Sequence, residues 1–304
     1  MSKNKLSIIL FLSFFLTPIL KAQVEIHVLG ISQDAGRPQA GCNKICCVNS
    51  LGIPLPYEMP SCLGITLPDS SSILVEATPS LSKQWNTLSQ LNYDLAPEKI
   101  FITHAHIGHY SGLMYLGREA MNCNNIDIYG GHRFTNFIKN NGPWDQLVNL
   151  KNIRLKKVNA KQKIEIGDLI VQALKVPHRD EYSETYGYIF NGKNKSLLFI
   201  PDIDKWAKWH HDIDSIIQTV DYALLDGTFY DQSELPNRDM SQIPHPFVSE
   251  SIDQWKLWST DKKNKIYFIH LNHSNPLFNK NSKEYSQVKQ QGFNIAETGM
   301  KFIL

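Results

Sequence analysis

The sequence has no marked excess of charge of either sign, and this argues against functions that depend on such an excess. Its 304 residues include 31 lysines and arginines against 29 aspartates and glutamates, a formal net charge of +2. Domains that bind nucleic acid or anionic membranes through a basic face usually carry a clear positive excess. We therefore expect neither a nucleic-acid partner nor a basic membrane-binding surface.

Long hydrophobic runs are also missing, with one exception at the N-terminus. Lys3 and Lys5 precede an apolar stretch over residues 6–20, which is short for a membrane span and matches the core of a signal peptide. Ala22 offers a cleavage site, and no cysteine follows it to carry a lipid. We predict that residues 1–22 are a signal peptide and that the mature protein is exported to a bacterial periplasm without a membrane anchor. An uncleaved N-terminal anchor is the alternative.

The sequence also lacks low-complexity segments and long linkers, so we predict that residues 23–304 form a single domain. Strand-like apolar runs occur in two series, and helix-like segments accompany each series. One of these helices is predicted to follow the segment around Tyr110 and to extend to about Met121. The pattern predicts an α+β fold in which two packed sheets are flanked by helices.

Histidine, in contrast, is concentrated in one short segment. Three of the eleven histidines, His104, His106 and His109, lie between a strand-like run at residues 98–102 and the predicted helix. Residues two apart in an extended segment point the same way, so His104 and His106 can face one point. Imidazoles that converge at a strand end suit a transition metal, zinc first, with iron or manganese as alternatives.

Four more polar residues stand where predicted strands end. These are His178, Asp202, Asp226 and His270, each of which follows an apolar run. Catalytic groups gather at strand ends because the sheet holds them rigidly while the loops admit substrate. The alternative for each residue alone is that it caps a strand or a turn.

The order of these residues resembles the metallo-β-lactamase superfamily. The resemblance rests on His104-x-His106-x-Gly108-His109, followed by His178, Asp202 and His270. It implies an αββα sandwich of two mixed sheets flanked by helices, with the metals at one edge of the sheets. It also implies a first metal held by His104, His106 and His178, and a second held by His109, Asp202 and His270, with Asp202 bridging.

Gly108 departs from this family pattern, which usually has an aspartate there as a ligand of the second metal. The second site is therefore expected to be weaker. It is expected to be empty, to carry a different metal, or to recruit Asp226 or His245 instead. One or two ions in the active site are both compatible with the sequence.

Other segments resemble coenzyme PQQ synthesis protein B and its relatives. They are residues 29–42, 225–230, 243–246 and 269–276. That family is degenerate where this chain has His104, His106 and His109, whereas the similar cyclic phosphodiesterase of phosphonate breakdown has an intact metal motif. The resemblance thus implies a relative of the PQQ protein with a different function.

Cysteine is scarce, and three of the five cysteines fall within six residues. Cys42, Cys46 and Cys47 are too close together in sequence to cross-link a large domain effectively through disulfides. The family resemblance implies a structural zinc near this segment, with His273, three residues after His270, as the fourth ligand. A disulfide and free buried thiols are the alternatives. Cys62 and Cys123 are expected in the core.

These observations predict a metal-dependent hydrolase that activates water against an ester-type small molecule, such as a phosphodiester or a lactone. Asp202 would orient the water, and Asp226 or His245 would protonate the leaving group. The alternatives are an iron-dependent oxygenase or oxidoreductase related to PQQ biosynthesis, and a non-catalytic metal-binding protein. The sequence carries no signal for an oligomeric state.

Overall fold

The computed structural model describes residues 23–236 and 238–304. The predicted signal peptide, residues 1–22, lies outside the described residues. None of the helices in the described ranges is long and apolar enough to cross a membrane.

Fourteen strands are present among the described residues. In chain order they are β1 (Glu25–Gly30), β2 (Cys62–Thr66), β3 (Ser72–Val75), β4 (Lys99–Phe101), β5 (Ile126–Gly130), β6 (Ile153–Lys157), β7 (Lys163–Ile166), β8 (Leu169–Val176), β9 (Thr185–Asn191), β10 (Ser196–Ile200), β11 (Tyr222–Asp226), β12 (Ile266–Ile269), β13 (Asn294–Ile295) and β14 (Lys301–Ile303).

The strands form two seven-stranded mixed sheets. The first has the order β14-β1-β2-β3-β4-β5-β6, and the second has the order β13-β12-β11-β10-β9-β8-β7. In each sheet, antiparallel pairing on one side gives way to parallel pairing on the other, at β3–β4 in the first sheet and at β10–β11 in the second. The first sheet combines most of the N-terminal half with the last strand of the chain.

Eight α-helices accompany the sheets in the part of the chain that the structure describes. They are α1 (Leu81–Leu91), α2 (Ile107–Tyr110), α3 (His132–Asn140), α4 (Trp144–Asn149), α5 (Ile213–Thr219), α6 (Val248–Trp255), α7 (Thr260–Asn264) and α8 (Lys283–Gln290). Short 3-10 helices cover Ser111–Leu116, Trp206–Lys208, Met240–Gln242 and Pro276–Phe278.

Alternation along the strands separates the layers. In β3, Ile73 and Val75 belong to the large apolar cluster shared by the two sheets, whereas Leu74 belongs to the cluster on the outer face of the first sheet. The outer cluster includes Leu81 and Leu88 of α1. Since successive residues of a strand point to opposite faces, this pattern places the first sheet between the second sheet and its own layer of helices.

The second sheet is buried on both faces. All five residues of β10 are buried, and its four apolar residues, which alternate between the two faces of the sheet, all belong to the large apolar cluster. The same cluster includes Ile217 of α5 and Trp255 of α6, so it extends beyond the space between the sheets to these helices. The predicted sandwich of two mixed sheets with flanking helices is therefore confirmed.

The prediction that a helix extends to about Met121 is wrong. The α-helix stops at Tyr110, and a 3-10 helix continues only to Leu116. Ala77 donates a backbone hydrogen bond to the His109 carbonyl, and Gly112 donates one to the Ala77 carbonyl. These tertiary bonds use groups that a regular helix would pair internally, and they dock the histidine segment onto the end of β3.

Replacing Leu198 of β10 with alanine is expected to reduce the free energy of unfolding by about 2–5 kcal/mol, because the side chain is fully buried between the layers. Leu257→Ala is the matched control, since Leu257 is 91% exposed and its loss is expected to change stability by no more than about 0.5 kcal/mol. Urea unfolding followed by circular dichroism measures both. Equal losses of unfolding free energy in the two variants would contradict the placement of Leu198 in the buried core.

Candidate metal centre

The second sheet brings four predicted site residues to one edge. β10, β11 and β12 are parallel, and β8 runs in the same direction because two antiparallel pairings separate it from β10. The residues at or just beyond the ends of these strands are His178, Asp202, Asp226 and His270. Their shared position follows from strand direction, as expected for polar groups at carboxyl ends of parallel strands.

The first sheet supplies the other side of the same site. His104, His106 and His109 follow β4, and Glu76 follows the parallel neighbour β3. β1 also runs in this direction, since two antiparallel pairings connect it to β3 through β2. The loop after β1, which contains Asp34, therefore begins at this edge.

One group of potential metal ligands consists of His104, His106, His178 and Asp202, whose ligand atoms all lie within 4.8 Å of one another. His104 Nε2 is 3.3 Å from Asp202 Oδ2, and His178 Nε2 is 3.4 Å from Asp202 Oδ1. Three nitrogens and one carboxylate at this spacing match the donors that zinc uses.

A second group consists of Asp34, His109 and His270. His109 Nε2 lies 3.7 Å from Asp34 Oδ1 and 3.4 Å from Asp202 Oδ2, and His270 Nε2 lies 3.8 Å from Asp202 Oδ2. Asp202 thus lies between the two groups. The structure places Asp34, rather than Asp226 or His245, in the group with His109 and His270.

Sequence reasoning missed Asp34 and Glu76 as site residues. Both follow strands that run parallel to β4, so strand direction was the signal that could have located them. Reading that signal required the pairing order of the sheet, which local sequence does not contain.

Hydrogen-bond partners hold several of the histidine rings. Thr103 Oγ1 is 2.9 Å from His104 Nδ1, and Thr228 Oγ1 is 2.9 Å from His270 Nδ1. The buried carboxylate of Glu76 lies 3.2 Å from His109 Nδ1 and also accepts a hydrogen bond from the Thr103 amide. Each contact engages Nδ1 and leaves Nε2 on the side of Asp202, which is how metal-binding histidines are usually oriented.

The backbone adopts positive φ angles at three of these residues. The values are 25° for Asp34, 81° for Glu76 and 65° for His270. Such angles are uncommon for residues other than glycine and tend to occur where surrounding structure enforces a functional orientation. At His270 the unusual angle occurs at the residue directly after the end of β12.

Charges within the cluster shift several pKa values. Burial would raise the pKa of Asp202, but the neighbouring His178, His270 and His245 hold it well below its ordinary value. Burial lowers the pKa of His104 well below its ordinary value, with His109 adding to the effect. These shifts favour the ionised form of the Asp202 carboxylate and the neutral form of the His104 imidazole.

Buried atoms without hydrogen-bond partners test whether these residues fit a metal. Within the described residues, His109 Nε2, His178 Nε2 and His270 Nε2 are buried and unpartnered, as are Asp34 Oδ1 and Asp202 Oδ1. Leaving such polar atoms unsatisfied costs about 1–3 kcal/mol each. They converge from both groups, and coordination would satisfy all of them, so the donor set fits one or two divalent ions.

Asp226 and His245 form a pair beside the first group. His245 Nδ1 is 2.8 Å from Asp226 Oδ2 and 3.1 Å from Asp202 Oδ1. Asp226 also accepts hydrogen bonds from the backbone amides of Ile203 and Thr228. Burial would lower the pKa of His245, but Asp226 and Asp202 raise it to about 9. Asp226 is thus a well-satisfied anchor that orients His245.

A cavity of about 400 Å³ opens onto the centre. Asp34 and His245 lie in its wall, together with Arg179, Arg238 and the apolar side chain of Phe229. The cavity is large enough for a small molecule, and two arginines are among the residues that line it.

The cysteine cluster lies next to this cavity. Cys42, Cys46, Cys47 and His273 place one ligand atom each within 4.8 Å of the others, and His273 lines the cavity wall. The Sγ atoms of Cys42 and Cys46 are 3.7 Å apart, and those of Cys46 and Cys47 are 3.8 Å apart. Zn–S bonds of about 2.3 Å in a tetrahedron place sulfurs about 3.8 Å apart, so the cluster fits zinc.

No disulfide joins any of the five cysteines, all of which lie in the described residues. Burial and the neighbouring thiols raise the pKa of Cys46 to about 12. Cys62 is buried as expected for a core residue, whereas Cys123 is only partly buried.

Comparison with known proteins agrees with the fold. The family model described as the β-lactamase superfamily domain matches residues 71–271. The chain therefore belongs to the metallo-β-lactamase superfamily, as its histidine motif and strand-end residues predict.

The chain is also similar to particular members of this superfamily. Coenzyme PQQ synthesis protein B from Acinetobacter baumannii strain ACICU is 25% identical over 92% of this chain and 100% of its own. The crystal structure of zinc-bound PqqB from Methylobacterium extorquens matches with a TM-score of 0.75 and 19% identity, covering 92% and 100% of the two chains. A diphosphatase from the PhnP family matches with a TM-score of 0.64 and 19% identity, covering 93% and 98%.

Replacing Glu76 with glutamine is expected to weaken zinc binding at the group with His109 by about 10–100-fold, because it removes the charge that holds Nδ1 of that ring. Competition with a chelator measures the affinity. Glu119→Gln is the control, because the Glu119 side chain is 66% exposed and lies outside the centre. Unchanged affinity in Glu76→Gln would show that Glu76 does not support the ligand.

Proposed function

We propose that the protein is a zinc-dependent hydrolase of an anionic ester, with a phosphodiester as the favoured substrate class. The observation that carries this proposal is the convergence of His104, His106, His178 and Asp202 at the edge of the two sheets. These residues would hold the first ion, while His109 and His270 would contribute to a second that shares Asp202. When bound there, zinc lowers the pKa of a coordinated water and polarises an oxygen of the substrate.

Asp202 orients the attacking water in this proposal. Its carboxylate is 3% exposed and already contacts imidazoles of both groups, so it is fixed in position before substrate binds. An ionised carboxylate in this position can accept a hydrogen bond from the water and align it with the substrate.

His245 donates the proton to the leaving group. It lines the cavity, and its Nδ1 atom is engaged by Asp226. That contact leaves Nε2 as the ring atom available to a substrate. Asp226 is fully buried and bonded to backbone amides, so we assign it the role of orienting His245 rather than of contacting substrate.

The cavity wall favours a charged ester over a neutral lactone. Arg179 and Arg238 both line it, and guanidinium groups recognise phosphate oxygens well. The similar fold of a PhnP-family diphosphatase supports the compatibility of this architecture with phosphate chemistry.

Hydrolysis of bis(4-nitrophenyl) phosphate by the zinc-loaded mature protein tests the proposal. His106→Ala is expected to reduce kcat/KM by at least about 100-fold, since a first-ion ligand is lost. His132→Ala, which changes an exposed histidine of α3 outside the centre, is expected to retain activity. Turnover that persists in His106→Ala after removal of metal would contradict the proposal.

The double variant Arg179→Met/Arg238→Met tests the substrate class. Losing two charge-assisted contacts is expected to raise KM for the phosphodiester by about 10-fold or more and to leave hydrolysis of a neutral lactone within about 2-fold. Arg118→Met changes an exposed arginine paired with Glu119 and serves as control. An equal effect on both substrates would contradict selection by charge.

Iron-dependent oxidation is the second candidate. The similarity to coenzyme PQQ synthesis protein B over 92% of the chain supports it, and histidines with carboxylates also suit iron. Metal analysis of anaerobically purified protein, combined with oxygen uptake, separates the candidates. Iron at the centre with substrate-dependent oxygen uptake would favour oxidation, whereas zinc with ester turnover favours hydrolysis. Metal binding without any turnover would instead favour a non-catalytic role.

We also propose a structural zinc at Cys42, Cys46, Cys47 and His273. Cys46→Ser is expected to lose about one zinc per chain, because the serine hydroxyl replaces a thiolate ligand. Cys123→Ser is the matched control, since Cys123 lies outside the cluster. Equal zinc contents in the two variants would contradict the structural site.

A further inference from the structure

Position 108 has no room for a side chain. Gly108 lies in α2 and is buried, and a Cβ added there would overlap Cα and Oδ1 of Asp34 and lie 3.0 Å from its Cβ. Two of these atoms belong to the side chain of Asp34, and the third belongs to its backbone. Asp34 therefore occupies the space into which a side chain at position 108 would extend.

The carboxylate of Asp34 also lies where a metal ligand is needed. Its Oδ1 atom is 3.7 Å from His109 Nε2, and both atoms are buried without a hydrogen-bond partner. Asp34, His109 and His270 bring one ligand atom each within 4.8 Å of the others. The Asp34 side chain is 31% exposed, but this buried oxygen has no hydrogen-bond donor, and a bound cation would satisfy it.

Backbone hydrogen bonds fix Asp34 relative to His270. Gln33 donates to the Leu271 carbonyl at 2.8 Å, and Leu271 donates to the Ile31 carbonyl at 2.8 Å. Residues directly adjacent in sequence to Asp34 and His270 are thus bonded to each other. The loop after β1 is held against the end of β12, so the position of Asp34 does not depend on the side chain alone.

We propose that Asp34 supplies to the second zinc the carboxylate that position 108 lacks. The ligand has moved from the histidine segment to the loop after β1, and glycine at position 108 is the condition for that exchange. The centre is then dinuclear, with Asp34, His109 and His270 on the second ion and Asp202 shared. This inference rests on the metal centre proposed above but does not depend on the substrate or on hydrolysis.

The zinc content of the mature protein, measured after removal of loosely bound metal, tests whether Asp34 is a ligand of the second ion. The wild-type protein is expected to bind three ions, one at the cysteines and two at the histidine centre. Asp34→Ala is expected to bind two ions. The ion that remains at its histidine centre is expected to resist removal by a chelator as strongly as the more tightly bound ion of the wild-type centre. Asp261→Ala, which changes an exposed aspartate of α7, is expected to bind three.

Gly108→Ala provides a second test, because alanine removes no ligand atom. The added methyl group is expected to displace Asp34 and to reduce zinc by about one ion per chain, while circular dichroism stays as in wild type. Gly142→Ala is the matched control, since a Cβ there comes only within 3.8 Å of Asp145 Oδ1. It is expected to bind three ions.

The outcomes distinguish this inference from the metal centre on which it rests. Three ions in Asp34→Ala would overturn the role of Asp34 and leave the centre itself intact. A wild-type protein with zinc at the cysteines alone would overturn both the inference and the metal centre.

Discussion

The centre depends on one buried carboxylate. Asp202 is 3% exposed and lies within 3.8 Å of imidazole nitrogens on five histidines from both sheets, His104, His109, His178, His245 and His270. An ionised carboxylate so far from water is costly unless positive charge surrounds it. Asp202 therefore links the two groups of potential ligands, and the other site residues are arranged around it.

The sandwich fold brings the histidines and Asp202 together at one edge of the two sheets. Parallel strands deliver Asp202, Asp226 and His270 to one edge, and the facing sheet delivers His104 and His109 to the same place. Glu76, Thr103 and Thr228 then hold individual rings by Nδ1. Within the described residues, the buried imidazole nitrogens and carboxylate oxygens that have no hydrogen-bond partner can offer lone pairs to a cation. Metal binding is therefore expected to stabilise the folded protein as well as to complete the site.

Sequence reasoning located the strand before His104 and the strands that end near His178, Asp202, Asp226 and His270, because their apolar runs are local signals. It failed for the helix after His109, since Ala77 takes the backbone bonds that would have continued it. It also missed Asp34, whose role depends on the pairing order of β1, β2 and β3 and on the space beside Gly108. Both failures concern contacts between distant segments, which local periodicity does not encode.

Anomalous diffraction from crystals of the zinc-loaded protein, measured on both sides of the zinc absorption edge, is the most direct test of a dinuclear histidine centre. We expect one peak enclosed by His104, His106, His178 and Asp202, and a second on the side of His109 and His270. Zinc confined to the cysteine cluster, with no peak among the histidines, would contradict it.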